Sequence, residues 1–133
     1  MPPREPKNVR VLAVDDDVAL LRALPLVFAE FDVVVAATAE EAMRVLAQGP
    51  VDVALVDYGL APENGLALLS QIAAAYPKVR RYIVSGFHPS RFDEDVASGL
   101  VQQSFLKPVD ISVLRAVLAG EAPPASTRGG VSP

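Results

Sequence analysis

Three consecutive aspartates, Asp15, Asp16 and Asp17, close the apolar run VRVLAV at 9–14, and a fourth carboxylate, Asp57, closes the run DVALVD at 52–57. A hydroxyl, Ser85, ends the run RRYIVS at 80–85, and a lysine, Lys107, ends QQSFLK at 102–107. Carboxylates crowded together repel and raise one another's pKa, so gathering them in one pocket makes sense only beside a cation. An all-oxygen acidic site that keeps room for water suits Mg²⁺. Ser85 and Lys107 add a hydroxyl donor and a fixed positive charge at the same rim.

The elements that must position these residues alternate along the chain. Five short β-branched runs, the four above and DVVVAA at 32–37, read as strands. Between them lie segments of helical spacing. In GLALLSQIAAAY, 65–76, Leu66, Leu69, Ile72 and Ala73 fall on one face. In TAEEAMRVLAQG, Thr38 and Glu41 form a capping box, and Gly49 then Pro50 stop the helix. The first helix is expected from about Val18 to Phe31 with a bend at Pro25, since a proline inside a helix costs ~3 kcal/mol. The last starts near Asp110 as N-cap and carries Leu114, Val117 and Leu118. Strands alternating with helices predict right-handed βαβ crossovers and a parallel sheet covered on both faces. The expected fold is α/β: a five-stranded, doubly wound parallel sheet with five helices. In such a sheet ligands lie beyond the carboxyl ends of the strands, where strand order reverses. With the flavodoxin-like order 2-1-3-4-5, Asp15 and Asp16 at the end of strand 1 meet Asp57 at the end of strand 3.

Composition narrows the function. The 133 residues suffice for one domain, and 51% are hydrophobic, enough for a full core. Twelve Lys and Arg against 16 Asp and Glu leave a net charge of −4, which offers no footprint for direct nucleic-acid binding. There is no cysteine, hence no disulfide and no thiolate metal site. The longest apolar runs, such as Val33 to Ala37, are too short for a bilayer, and MPPREPKN lacks the apolar stretch of a signal peptide, so a cytoplasmic location is expected.

On four features taken together, the chain closely resembles the CheY-like receiver domains of bacterial two-component response regulators. These are the acidic pair after strand 1, the aspartate of LVDYGLAPENG, the Ser-Gly of IVSGF and the Lys-Pro of FLKPVD, in that order over residues 8 to 119. The resemblance implies that Asp57 accepts a phosphoryl group from a histidine kinase or histidine phosphotransfer protein. It implies Mg²⁺ held by Asp16 directly, by Asp15 through a water, by Asp57 and by the backbone carbonyl of Gly59. Lys107 and Ser85 would then contact phosphoryl oxygens, with the Lys107–Pro108 bond cis. Such a domain is a signalling phosphoacceptor, catalysing only its own phosphorylation and dephosphorylation. Its output is a changed protein contact on the face of helix 4, strand 5 and helix 5, and it can form a homodimer. The implied organisation is a flexible arm over 1–8, a receiver domain over 9–119 and a disordered tail or linker over 120–133, where Pro, Gly and Ser supply eight of fourteen residues.

Each residue also has a plainer role available. Asp17 is placed as an ordinary N-cap, Ser85 beside Gly86 suits a turn, Lys107 suits a solvated charge, and His88 and the acidic group Glu63, Asp93, Glu94 and Asp95 suit an exposed surface. The family pattern is also broken in places. Where many receivers carry a Tyr or Phe, three residues before the lysine, this chain has Ser104, and Phe105 should face the other side of the sheet. Switching is therefore expected to use Ser85 and the loop around Phe87. The proline after strand 3 falls one residue late, at Pro62, and Gly59 has no side chain to keep water from the phosphoacceptor. A haloacid-dehalogenase-type phosphatase would need a longer chain and a Thr or similar group shortly after the aspartates, where Val18, Ala19 and Leu20 stand. A nucleotide-binding domain would need a glycine-rich turn after strand 1. The remaining alternative is a degenerate receiver that binds a protein partner without phosphorylation.

Overall fold

The computed structural model describes residues 9–120; the expected arm at 1–8 and all but the first residue of the expected tail lie outside them. The chain order is β1 (Arg10–Val14), α1 (Val18–Val27), β2 (Asp32–Ala36), α2 (Ala39–Gln48), β3 (Val53–Asp57), α3 (Gly65–Ala75), β4 (Arg80–Ser85), a 3₁₀ turn (Pro89–Phe92), α4 (Asp93–Ala97), β5 (Gln103–Leu106) and α5 (Ile111–Leu118). All strand pairs are parallel, in the order β2-β1-β3-β4-β5. The expected flavodoxin-like topology, with β1 and β3 adjacent where the order reverses, is the one observed.

Period-2 alternation along the strands builds two cores. Leu12, Val14, Ala54, Val56 and Ile83 point to one face, where they meet Leu46 of α2 and Leu68, Leu69 and Ile72 of α3. Val11, Val53, Leu55, Tyr82, Val84 and Phe105 point to the other, against Phe28 and against Leu114, Val117 and Leu118 of α5. Because both faces are covered, β3 reads as an unbroken apolar run and is buried from Val53 to Val56.

The caps explain the helix starts. Asp17 Oδ1 accepts the N–H groups of Ala19 and Leu20, Asn64 Oδ1 that of Ala67, and Asp110 Oδ1 those of Ser112 and Val113. Thr38 accepts the Glu41 N–H at 3.0 Å, while the Glu41 carboxylate reaches back one residue further than a capping box requires, to the Ala37 N–H at 2.8 Å. One expectation fails: α1 stops at Val27 rather than Phe31. Pro25 has no N–H to give the helix, the Phe28 N–H closes it on the Leu24 carbonyl, and Phe28 and Phe31 turn into the core. α5 of the same face holds that end, through Arg115, which donates to the Val27 carbonyl at 2.7 Å and to Glu30 at 2.5 Å. Among the described residues no helix is long and apolar enough to cross a membrane.

Candidate functional site

Strand register brings the polar residues to one edge. Val14 pairs with Val56, Asp57 with Val84 and Ser85 with Leu106, so Asp15, Asp57, Ser85 and Lys107 all stand at the carboxyl ends of neighbouring strands. The ladder continues one bond past these strands: the Asp15 N–H donates to the Ala36 carbonyl, Tyr58 to Val84, and Lys107 to Ser85. These bonds hold the backbone of the rim on the rigid sheet.

Side chains converge there. Oxygens of Asp15, Asp16 and Asp57 all lie within 4.8 Å of one another, an acidic group that could hold a metal ion. Lys107 Nζ is 2.7 Å from Asp57 Oδ1 and 3.7 Å from Asp15 Oδ2. The Asp15 and Asp57 side chains are only 9% and 11% exposed, whereas Asp16 is exposed. Burial, and after it the charges of Asp57 and Asp16, raise the Asp15 pKa against the opposing Asp17 N–H bond and Lys107. Burial alone would lower the Lys107 pKa, but the hydrogen bond and charge of Asp57, followed by Asp15, hold it above its ordinary value. Three carboxylates against one ammonium leave the cluster short of positive charge, and its donor set of hard oxygens fits a divalent cation. A cleft of about 360 Å³ opens beside it between α1 and α5, floored by Ala13 and Leu55.

The other expected residues are placed differently. The buried Ser85 is on the rim, but its Oγ accepts the Phe87 N–H at 2.8 Å. Gly59 is exposed beside the carboxylate: a Cβ built on it would lie 3.2 Å from Asp57 Oδ2. Lys107–Pro108 is cis, as the resemblance implied, and so is Ala61–Pro62. Ser104 pairs with Ile83 and shares its face, while Phe105 lies in the core on the opposite side. His88 is exposed; its Nδ1 accepts the Ser90 N–H at the start of the 3₁₀ turn.

Two features of the site, and one at the opposite end of β4, escaped the sequence reading. Gly65 packs so close to the β3 end that a Cβ would fall 2.3 Å from the Asp57 carbonyl oxygen, which only glycine permits. The signal available was the Asn-Gly pair of the loop. Tyr58, Phe87 and Arg91 stack beside Asp57, with ring centroids of Tyr58 and Phe87 5.7 Å apart and the Arg91 guanidinium 4.3 Å over Phe87. Arg81, inside an apolar strand and 7% exposed, donates to the carbonyls of Pro77, Val79, Gly99 and Leu100. An arginine amid RRYIVS was the sequence signal for it.

A doubly wound 2-1-3-4-5 sheet with carboxylates, a hydroxyl and a lysine on its carboxyl edge defines the class: a flavodoxin-like signalling receiver. The family model for the response regulator receiver domain matches residues 11–119, and the chain belongs to that family. It is 33% identical over 110 residues to the hydrogenase transcriptional regulatory protein HoxA of Cupriavidus necator, covering 77% of this chain and 22% of that protein. It is 36% identical over 104 residues to the regulatory protein VirG of Agrobacterium tumefaciens, covering 76% and 39%. The chain thus spans about a fifth to two fifths of the length of these relatives. Among solved structures it is similar to a CheY-like response regulator receiver domain protein of Methanospirillum hungatei JF-1, with 25% identity, a TM-score of 0.75, and 84% and 91% of the two chains covered.

Proposed function

We propose that this receiver takes a phosphoryl group onto Asp57 from a phosphohistidine of a sensor kinase or phosphotransfer protein. The observation that carries this is the Lys107 ammonium 2.7 Å from Asp57 Oδ1, inside a group of three carboxylates. An Asp57 carboxylate oxygen attacks phosphorus; a P–O bond forms as the P–N bond breaks, and the imidazole nitrogen leaves with the bonding pair. Lys107, already aimed at Asp57, offsets the charge gathering on the phosphoryl oxygens, and the Ser85 hydroxyl donates to one of them. Asp16, Asp57, the Gly59 carbonyl and, through a water, Asp15 are the groups that would hold Mg²⁺. The metal would neutralise phosphoryl oxygens during transfer.

In this reading the domain's chemistry is its own phosphorylation and dephosphorylation. Phosphorylation adds a charge of about −1.5 to −2 at one rim, enough to move a two-state surface. The output in this reading is a changed protein contact on α4, β5 and α5, and the exposed apolar side chains Val96, Leu106 and Ile111 support it. A net charge of −4 gives no basic footprint for nucleic acid on this chain, although HoxA is by name a transcriptional regulator. In the domain reading, 9–119 is the receiver, flanked by the arm at 1–8 and the tail or linker at 120–133. Intact mass after incubation with acetyl phosphate tests the proposal, with and without Mg²⁺, on wild type and Asp57→Asn. A single phosphoryl adduct requiring both the metal and Asp57 is expected; a folded protein that takes none is instead a receiver that works by binding alone.

A further inference from the structure

The α4 helix is weakly held. It has five residues, none of them buried, and no side-chain N-cap. Two anchors flank it. At its C-terminal end the buried Arg81 guanidinium ties the Gly99 and Leu100 carbonyls to the sheet. At its N-terminal end the 3₁₀ turn carries Arg91 and Phe92; Phe92 is 1% exposed, with its ring 5.2 Å from that of Tyr58. Arg91 lies 4.3 Å over Phe87 and 5.7 Å over Tyr58, and the Tyr58 and Phe87 rings meet edge-on at 88°. Tyr58 follows Asp57 directly, and Phe87 is tied by its N–H to Ser85 Oγ.

A route through β5 is closed in this chain. Ser104 has no ring to move, and Phe105 is locked in the opposite core with its ring 5.9 Å from that of Tyr82. Resting on the phosphoacceptor reading of Asp57, we propose that Phe87 and Arg91 are the readout arm of this receiver, carrying the state of Asp57 to α4 in place of an aromatic on β5. The Ser85 hydroxyl is the latch. Turned toward a phosphoryl group on Asp57, it withdraws its oxygen from the Phe87 N–H; the Phe87 ring leaves Tyr58 and Arg91, and the 3₁₀ turn releases the start of α4. Arg81 keeps the far end fixed, so α4 pivots instead of unfolding. Phe87 and Arg91 are positioning residues here and touch no reacting atom.

The test uses ¹⁵N amide spectra of the full chain with beryllofluoride and Mg²⁺ as the phosphoryl mimic, on wild type, Phe87→Ala, Phe87→Leu and Arg91→Gln. In wild type, amides around Asp57 and Lys107 and those of Asp93–Ala97 should all shift. In both Phe87 variants the shifts around Asp57 and Lys107 should remain, while the α4 amides already lie toward their released positions without the mimic, because losing one edge-on aromatic pair and one cation–π contact raises the released population about tenfold, and the α4 response to the mimic shrinks accordingly. Arg91→Gln should fall between. Phe87→Leu keeps the apolar bulk without the ring, separating a lost contact from a lost fold. Undiminished α4 shifts in the Phe87 variants overturn the proposal, and so does a wild type that shifts around Asp57 but not in α4. A wild type with no shift even around Asp57 removes the phosphoacceptor reading itself, and this proposal with it.

Discussion

Replacing Asp15 by Asn should make the metal-free protein more stable. Asp15 is 9% exposed, and its charge faces two like charges, with oxygens of Asp16 and Asp57 within 4.8 Å, and one ammonium at 3.7 Å. At an effective dielectric constant of 20, each repulsion is about 3.5 kcal/mol and the attraction about 4.5 kcal/mol. The two repulsions therefore outweigh the single attraction, and burial adds to the penalty. Lys107 is 40% exposed and Asp16 is exposed, so screening trims every pair, leaving about 1–3 kcal/mol in favour of the neutral side chain. Asparagine also keeps the oxygen that accepts the Asp17 N–H at 2.9 Å. Urea unfolding at pH 7 in EDTA should show Asp15→Asn more stable than wild type by that amount. Added Mg²⁺ should reverse the order, since wild type gains about 1.4 kcal/mol for each tenfold of free metal above its Kd and the variant gains less. The pH dependence has a definite sign. The folded-state pKa of Asp15 is raised above its ordinary 3.8, so the folded protein holds that proton more tightly than the unfolded chain does. The penalty is absent below the unfolded value, grows as pH rises through the folded one and is complete above it. The gap between variant and wild type must therefore shrink as pH falls from 7. A variant less stable than wild type in EDTA at pH 7, or a gap that widens in acid, refutes the reasoning.

Three further outcomes follow from the same geometry. Gly65→Ala places a Cβ 2.3 Å from the Asp57 carbonyl oxygen, backbone that cannot yield cheaply, and should cost about 1–3 kcal/mol in urea unfolding; an unchanged midpoint would falsify the close approach. Arg81→Met strips charged donors from four carbonyls and should cost about 2–4 kcal/mol, with faster amide exchange at Gly99 and Val101; exchange unaltered there rules out the anchoring role. With Gly59 presenting no side chain beside Asp57, the aspartyl phosphate should be short-lived, and a half-life of many hours in Mg²⁺ buffer contradicts that.

The strands and their edge were legible because both signals are local. Alternation places Leu12 and Val14 on one face and Val11 on the other whatever their partners are, and a run such as VALV reads as buried on both sides before any helix is placed. Caps behave likewise: Asp17, Thr38 and Asp110 act within three residues of themselves. The rim residues could be named because a parallel sheet delivers every strand's carboxyl end to one edge. The end of α1 was not legible, since the apolar spacing runs on past Val27 and Pro25 by itself signals only a bend; the packing of Phe28 and the bond from Arg115, 88 residues away, to the Val27 carbonyl are tertiary.

The sequence by itself determined an α/β chain of five strands and the set Asp15, Asp16, Asp57, Ser85 and Lys107, because residue type and period-2 or 3.6-residue spacing are carried by neighbours along the chain. Tertiary structure alone decided that Lys107 reaches Asp57 at 2.7 Å, that the Ser85 hydroxyl is held by Phe87, that Tyr58, Phe87 and Arg91 form one stack, and that Arg81 is buried among four carbonyls. Those contacts join different strands, loops and turns, and their distances depend on how strand register and helix packing bring the loops together. No local pattern encodes that, and the chain acquires it only when both faces of the sheet are covered.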